Sequence, residues 1–227
     1  MSKLVWIVLV VLAMAIGVKV AIHQLAAQPP LNSAQLLPVP KVLKDLKLEK
    51  NKTAIFTEAD FIGHWNLIFF GFTSCPDFCP LELQKLGKLL QLSLQNKQLQ
   101  SPFPLRVIFI SLDPERDTPE KIKAYTAFFH PQILGLSSSN VELVKVAHFF
   151  GSDYSRKVTV AGAALNIPAG IDMPANVENN YQVDHSARIY IVNPQAAYVG
   201  SFAPPHDAEN MWSDLQLIMS RYKPELR

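Results

Sequence analysis

The only two cysteines of the chain lie four residues apart, on a segment predicted to be the turn between a strand and a helix. Cys75 and Cys79 follow the apolar run 67–70, which is typical of a buried strand, and precede 81–86, which begins an amphipathic helical pattern. At such a helix N-terminus, unpaired backbone N–H groups and the positive end of the helix dipole favour a thiolate. This position lowers the pKa of a cysteine and indicates a metal or redox site.

The Cys-x3-Cys spacing favours chemistry over a structural disulfide. One helical turn separates the two Cβ atoms by about 5–6 Å, so that two thiolates could hold one soft metal ion. A disulfide prefers Cβ atoms about 3.8 Å apart, so a bridge here would need local distortion and would be easily reduced. It would also close only a short loop and would constrain the unfolded chain little. A plain stabilising disulfide is therefore the disfavoured interpretation.

The N-terminal segment has the pattern of a membrane anchor. Residues 4–18 are almost wholly apolar and follow Lys3. A cleaved signal peptide is one interpretation, with a cleavage site at Ala21 or 25–27. A retained transmembrane helix within residues 1–27 is favoured, because those sites stand late and no Ala-x-Ala follows the apolar run. The positive charge before the span predicts a single-pass protein of the inner (cytoplasmic) membrane whose body faces the periplasm.

The rest of the chain divides into a stalk and one domain. Residues 28–50 contain four prolines and several lysines, which favours an extended stalk. Residues 51–227 have the length of one compact domain with a full core. The formal net charge of +2 gives no support to nucleic-acid binding. A single, closely spaced cysteine pair also argues against a disulfide-stabilised scaffold.

Within this domain, helical and strand patterns alternate. The predicted elements are a helix at 79–96, a strand at 106–112, helices at 119–130 and 140–150, strands at 187–192 and 197–202, and a helix at 207–221. Asp117 is the expected N-cap of the second helix, and 158–181 is either a hairpin or a long covering loop. In a parallel βαβ unit the carboxyl ends of the strands share one edge, so the cysteine turn and the loop at Asp113 should be neighbours. The pattern predicts a three-layer α/β domain of thioredoxin type with a mixed sheet.

A third metal ligand would come from the histidines. Five of them have simpler interpretations. His23 belongs to the anchor or stalk, His64 lies at the far sheet edge, and His130 is a cation at a helix end. His148 lies on the apolar side of a helix, with Val141, Val144 and Ala147, and is predicted to be a core residue, whereas His206 caps the last helix. His185 precedes a strand, after a loop long enough to bring it over the sheet edge. From the residues alone, a backbone hydrogen bond explains it as well as a ligand role. Two thiolates and one imidazole suit copper in both oxidation states, whereas a closed zinc site would want a fourth ligand.

Three blocks of sequence carry a resemblance to a known family. They are 70–80 (FGFTSCPDFCP), 111–120 (SLDPERDTPE) and 183–186 (VDHS). In this order the chain resembles the Sco/SenC family of copper-binding assembly proteins for cytochrome c oxidase. The resemblance runs over about 67–219, which is most of the predicted domain.

The resemblance implies a thioredoxin-like fold, a membrane tether and a site for one copper ion. In that family the two motif cysteines and the histidine bind the metal, which corresponds here to Cys75, Cys79 and His185. The 113–117 block lies close to the metal in the family, so that Asp113 is a candidate for a supporting residue beside the ligands.

Three functions fit these features. The first is a metallochaperone, rather than an enzyme, that passes Cu(I) or Cu(II) to the binuclear copper site of the oxidase subunit; periplasmic copper carriers and thiol reductants are further candidate partners. The alternative is a thiol–disulfide oxidoreductase, with Cys75 as nucleophile and Cys79 as resolving thiol, that keeps the copper-ligand cysteines of the oxidase reduced. A thiol peroxidase is disfavoured, because it needs neither a second thiol at this spacing nor a distant imidazole.

Overall fold

A computed structural model describes residues 3–26, 29–51, 53–95, 101–160, 163–174 and 181–222. The chain forms two units, Met1–Leu31 and Asn32–Arg227. The first contains helix α1 (Lys3–Ala26), where the anchor is predicted. In the described part of the chain, no helix has both the length and the apolar character needed to cross a membrane. The predicted ends of the anchor at residue 27 and of the first domain helix at residue 96 lie outside the described residues.

The second unit contains strands and helices in alternation. Its strands are β1 (Ala34–Val42), β2 (Leu48–Glu49), β3 (Ile55–Phe56), β4 (Trp65–Gly71), β5 (Leu105–Ser111), β6 (Leu134–Leu136), β7 (Tyr154–Val160), β8 (Ala163–Pro168), β9 (Tyr181–His185), β10 (Ile189–Val192) and β11 (Ala197–Phe202). Its helices are α2 (Phe78–Gln95), α3 (Pro119–Phe129), α4 (Asn140–Phe150) and α5 (Ala208–Arg221), with a 3-10 turn at Glu58–Phe61.

The main sheet has six strands in the order β1-β11-β10-β4-β5-β6. Strands β4, β5 and β6 are parallel, whereas β10, β11 and β1 add antiparallel pairs. Every residue of β4 is buried, as expected for a central strand covered on both faces. The predicted βαβ unit and mixed sheet are confirmed.

Aromatic contacts place helices on both faces of this sheet. On one face Phe69 lies 6.2 Å from Phe78 of α2, measured between ring centroids, and Phe109 lies 5.8 Å from Tyr125 of α3. On the other face Phe70 lies 6.0 Å from the ring of Phe150 in α4. Helix α5 contacts α2. The predicted three-layer α/β architecture is therefore confirmed.

A second, three-stranded sheet has the order β8-β7-β9. The antiparallel register of β7 and β9 pairs Tyr154 with His185. For 158–181 the hairpin is confirmed, since β7 and β8 pair along their lengths. Residues 161–162 and 175–180 of this segment lie outside the described residues. This sheet delivers the candidate histidine ligand at the end of β9.

Most of the predicted stalk, 28–50, belongs to the folded domain, which begins at Asn32. Strand β1 pairs with β11 at the edge of the main sheet, where its prolines, Pro38 and Pro40, are tolerated. Its start is fixed by Asp214, a buried residue of α5 whose carboxylate accepts hydrogen bonds from the backbone N–H groups of 32–34 at 2.7, 2.7 and 2.8 Å. The separation of stalk and domain at residue 50 is therefore corrected.

We expect Asp214→Ala to lower the free energy of unfolding by about 2–4 kcal/mol, because three backbone donors lose their acceptor. Burial raises the pKa of Asp214, but the hydrogen bonds from 32–34 more than offset this, and the net pKa is lowered. The stabilisation is therefore present above the unfolded pKa of about 3.9 and is lost as the pH falls through the folded value. Urea unfolding at several pH values measures both effects. The exposed neighbour Ser213 gives a control variant, Ser213→Ala, and equal stability of the two variants at neutral pH would contradict the prediction.

The buried side of α4 differs from the prediction. The residues expected on it were Val141, Val144, Ala147 and His148. The buried apolar residues are Leu143, Val146, Ala147 and Phe150. These four follow the i, i+3, i+4, i+7 spacing of one helix face. His148 is therefore exposed to solvent, and its assignment to the core was wrong.

Candidate metal centre

The cysteine loop joins β4 to α2, as predicted. Helix α2 begins at Phe78, so Cys75 precedes the helix and Cys79 lies in its first turn. The backbone N–H of Cys79 donates to the sulfur of Cys75 across 3.4 Å. Both thiols are free; Cys75 is half-buried and Cys79 is buried.

The pKa values of the two thiols are shifted in opposite directions. Hydrogen bonding from the Cys79 side chain, aided by backbone N–H groups of Cys79, Asp77 and Phe78, lowers the pKa of Cys75 to about 5 despite partial burial. The same bond to Cys75 and burial raise the pKa of Cys79. At neutral pH the pair is therefore one thiolate and one thiol. Cys75, the less buried of the two, is then the better nucleophile.

His185 brings its imidazole to the buried thiol. Its Nε2 lies 3.7 Å from Sγ of Cys79, and its Nδ1 lies 3.0 Å from the carbonyl oxygen of Ser186. A carbonyl oxygen can only accept, so Nδ1 carries the proton in this bond. The lone pair of the neutral ring is then on Nε2, facing Cys79. A backbone hydrogen bond at one ring nitrogen commonly fixes a metal-binding histidine in this way.

Three phenylalanines surround the His185 ring. Their centroids lie 6.2 Å (Phe69), 6.1 Å (Phe72) and 6.4 Å (Phe78) from that of the imidazole. Burial lowers the pKa of His185 below its usual value, so the neutral form that can bind a metal is favoured.

The donor set fits copper, but the donors are not closed around one point. Among the described residues, no group of three or more His, Cys, Asp and Glu side chains is arranged to hold a metal ion as it stands. Binding through Cys75, Cys79 and His185 together would require side-chain movements that bring the three donors around one point. Two sulfurs and one imidazole nitrogen are nevertheless the ligand types that suit Cu(I) and Cu(II).

Asp117 is buried and has a different role from the predicted helix cap. The N-cap of α3 is Thr118, whose side chain accepts from the N–H of Lys121. The carboxylate of Asp117 accepts from the backbone N–H and the hydroxyl of Thr73 in the cysteine loop, from the hydroxyl of Ser111 at 2.6 Å, and from Lys121 at 3.1 Å. It therefore ties the cysteine loop to the end of β5.

Asp113 is fully buried and supports β9. One carboxylate oxygen accepts from the hydroxyl of Tyr181 at 2.5 Å, and the other accepts from Nε of Arg116. Burial raises the pKa of Asp113, although the hydrogen bonds from Tyr181 and Arg116 act in the opposite direction. Asp113 thus reaches the predicted site indirectly, through Tyr181, which begins the strand that His185 ends.

Glu115 holds the neighbouring strand from the same loop. Its Oε1 accepts from the buried Arg156 of β7 at 2.7 Å, from Asn140 at 2.9 Å and from the backbone N–H of Met173 at 3.1 Å. Residues 113–117, which we name the acidic loop, therefore contact both the cysteine loop and the sheet that carries His185. The sequence block 111–120 is recognisable from the sequence alone, but the partners of Glu115 lie far away along the chain and could not be predicted.

His206 does not cap the last helix. That cap is Asp207, whose side chain accepts from the N–H of Asn210. The imidazole of His206 is buried against Glu82 of α2, with Nδ1 at 2.6 Å from Oε2. The other described histidine side chains, which make no described contact with either cysteine, are His64, His130 and His148; the side chain of His23 lies outside the described residues.

Comparison with known proteins identifies the family. A family model described as SCO1/SenC matches residues 38–220. The chain belongs to the SCO1/SenC family. It is 33% identical over 169 residues to the human protein SCO2 homolog, mitochondrial. The aligned residues make up 74% of this chain and 56% of that protein. The chain spans 44% to 62% of the length of such curated relatives.

Solved structures of SCO1/SenC proteins have the same fold. Arabidopsis thaliana ScoI with copper bound superposes with a TM-score of 0.65 at 28% identity, covering 80% of this chain and 99% of that one. Yeast Sco1 with copper bound gives a TM-score of 0.65 at 30% identity, covering 82% and 92%. The predicted thioredoxin-like fold is confirmed.

Gly71 makes room for the buried thiol of this SCO1/SenC site. A Cβ atom added at Gly71 would lie 2.9 Å from Sγ of Cys79 and 2.7 Å from the ring of Phe109. Real Cβ atoms do not approach other atoms so closely, so any other residue at the end of β4 would force both the Phe109 ring and the Cys79 thiol to shift.

We expect Cys75 to be alkylated by iodoacetamide much faster than Cys79 in the native protein. At pH 7 a thiol of pKa about 5 is almost fully ionised, whereas an ordinary cysteine of pKa about 8.5 is only about 3% thiolate. The rate at Cys75 should be constant above about pH 6 and fall tenfold per unit below pH 5. Peptide mass spectrometry of quenched samples measures this, with the urea-unfolded chain as control. Equal labelling of both thiols, or a midpoint near 8.5, would contradict the assigned asymmetry.

Proposed function

We propose that this protein is a copper metallochaperone. It holds one copper ion, as Cu(I) or Cu(II), through Cys75, Cys79 and His185 and passes it to the binuclear copper site of cytochrome c oxidase during assembly. The observation that carries this proposal is the approach of Nε2 of His185 to 3.7 Å from Cys79, beside the activated thiol of Cys75. Family membership, and the copper bound in the Arabidopsis and yeast structures, support it.

Each donor has a distinct part in binding and release of the cargo. Cys75 is already a thiolate, so copper can bind it without displacing a proton. Cys79 must lose its proton to a base in solution when it binds copper, so the affinity for copper falls at low pH. His185 supplies the lone pair of Nε2 without proton transfer. Because Cys75 is the half-exposed donor, ligand exchange with an acceptor begins there.

Copper titration of the full chain in detergent tests this function. After reduction and removal of the reductant, we expect one copper per chain, with thiolate-to-Cu(II) charge-transfer absorption. The absorption and the stoichiometry should be lost in Cys75→Ala, whereas a variant of the exposed histidine, His148→Ala, should behave as wild type. Absence of stoichiometric copper in the wild-type chain would overturn the proposal.

The location and partners are proposed together with this function. The apolar segment 4–18 behind Lys3 supports a single-pass anchor in the inner (cytoplasmic) membrane, with the domain in the periplasm. There the domain would meet the copper-site subunit of the oxidase, periplasmic copper carriers and thiol reductants. Alkaline carbonate extraction and protease accessibility of spheroplasts test the location. Recovery of the intact chain in the carbonate-soluble fraction would contradict the anchor.

A second candidate function is thiol–disulfide exchange, which the unequal acidity of the thiols favours. The thiolate of Cys75 would attack one sulfur of a target disulfide, forming a mixed disulfide and releasing one target thiolate. Cys79, after losing its proton, would attack Cys75 and release the second target thiolate. The target is reduced and the Cys75–Cys79 pair is oxidised, until an external thiol reductant restores it. Redox-buffer equilibration followed by thiol counting tests whether this pair cycles.

A further inference from the structure

Arg116 and Asp113 grip the first residue of β9 in three ways. The hydroxyl of Tyr181 donates to Asp113 at 2.5 Å. Nη1 of Arg116 donates to the backbone carbonyl of Tyr181 at 2.9 Å, and the guanidinium carbon lies 3.7 Å from the centroid of the Tyr181 ring. Arg116 and Asp113 also pair with each other. We name these three residues the tyrosine clamp; it fixes the side chain, main chain and ring plane of Tyr181 at once.

The clamp also touches the thiol side of the site. The guanidinium of Arg116 lies 5.7 Å from the ring centroid of Phe72. Phe72 contacts the His185 ring, and its carbonyl oxygen accepts the backbone N–H of Cys75 at 3.3 Å. One cation therefore borders both the strand of the imidazole and the loop of the thiols.

Strand β9 needs such an anchor. It is an edge strand of the three-stranded sheet, hydrogen-bonded as a strand to β7 alone among the described residues. It ends at His185, four residues after Tyr181. An edge strand held on one side can shift or fray, and a displacement of about 1 Å is enough to spoil a metal site.

We propose that Tyr181 and Arg116 are positioning residues for His185: the tyrosine clamp sets the distance from the imidazole to Cys79 and thereby the affinity for copper. This inference rests on the proposed copper-binding function. Neither residue is a ligand, and both act through β9.

A double-mutant cycle between Tyr181→Phe and His185→Ala tests the proposal. We expect Tyr181→Phe to weaken Cu(II) binding about tenfold to a hundredfold, the range found when residues supporting metal ligands are lost. In the His185→Ala background the same change should alter affinity by less than about twofold, because its target is already gone. The charge-transfer band should change in Tyr181→Phe. The alkylation rate of Cys75, measured without copper, should keep its wild-type value.

Two further variants make the test specific. Tyr154 lies opposite His185 in the register of β7 and β9 and is as deeply buried as Tyr181, but it does not bond to the clamp. Tyr154→Phe should therefore leave copper affinity unchanged. Arg116→Lys keeps the charge beside Asp113 but loses the fork that reaches Tyr181, so it should reproduce the loss. If Tyr181→Phe fails to fold, Arg116→Lys takes its place in the double-mutant cycle.

The outcomes separate the two proposals. No copper binding by the wild-type chain would overturn the proposed function itself. Copper binding that depends on His185, with an equal effect of Tyr181→Phe in both backgrounds, would overturn the positioning role alone. Equal losses in Tyr154→Phe and Tyr181→Phe would also overturn it, because the effect would then follow from loss of any buried hydroxyl on this sheet.

Discussion

The His185→Ala variant should bind Cu(II) at least about a hundredfold more weakly than wild type, a larger loss than for a residue that only supports a ligand. It removes the nitrogen donor that lies beside Cys79 and leaves both thiols in place. Disulfide exchange should survive, because the acidity of Cys75 comes mainly from Cys79 and from backbone N–H groups. Competition titration against a chelator of known affinity measures the first property. Reduction of a small disulfide followed by absorbance measures the second.

This pair of measurements separates the two candidate functions. The control is His148→Ala, which removes an exposed imidazole from α4. Unchanged copper affinity in His185→Ala would show that the ligand assignment is wrong. Loss of both properties together would show that His185 supports the fold of the cysteine loop and has no separate role as a donor.

Asp117→Ala should lower the free energy of unfolding by about 3–5 kcal/mol, since it removes a buried charged acceptor from several donors at once. The backbone N–H and hydroxyl of Thr73 and the hydroxyl of Ser111 would lose their partner. The cysteine loop should loosen as a result, and the pKa of Cys75 should rise towards the ordinary value of about 8.5. Urea unfolding and the pH dependence of Cys75 alkylation measure the two effects.

Asp77 provides the matched control for this prediction. It lies in the same loop, between the two cysteines, and its side chain is exposed. Asp77→Ala should change stability by no more than about 0.5 kcal/mol, as for most surface substitutions. If Asp117→Ala were as stable as Asp77→Ala, the carboxylate of Asp117 would not hold the loop.

The sequence predicted those parts of the fold that depend on local pattern and on the chirality of βαβ units. The buried strand before Cys75 and the helix after it follow from the change of hydrophobic period. The parallel arrangement of β4 and β5 then placed the cysteine turn beside the loop at Asp113, and the amide of Leu112 indeed bonds to the carbonyl of Gly71. The bounds of α4 were also correct.

Long-range partners could not be predicted in this way. Asp117 stands where a helix cap is common. Only the hydrogen bond from the backbone N–H of Thr73, 44 residues earlier in the chain, shows that its carboxylate binds the cysteine loop instead. Asp214 lies inside the predicted helix 207–221, and no local pattern indicates that its carboxylate binds the backbone of 32–34, 180 to 182 residues away. Strand β1 likewise falls in the predicted stalk, because its prolines and lysine are typical of a linker and its pairing partner β11 lies far along the chain.

His185 illustrates how both interpretations of one residue can hold. From the residues alone, a backbone hydrogen bond and a ligand role were equally good explanations. In the structure one ring nitrogen bonds to the carbonyl of Ser186 while the other faces Cys79. The first contact orients the ring for the second. Only the resemblance to a family, carried by separate sequence blocks, could favour the ligand role beforehand.

The grip of Asp214 on the start of β1 also determines how the domain would respond to mechanical load. A pull transmitted along the chain from residue 31 would reach the hydrogen bonds of 32–34 before it could peel β1 from β11. The load would pass to α5, and α5 contacts α2, the helix whose first turn holds Cys79. Tension on the N-terminal segment would thus be borne by the scaffold of the thiol pair before the sheet yields.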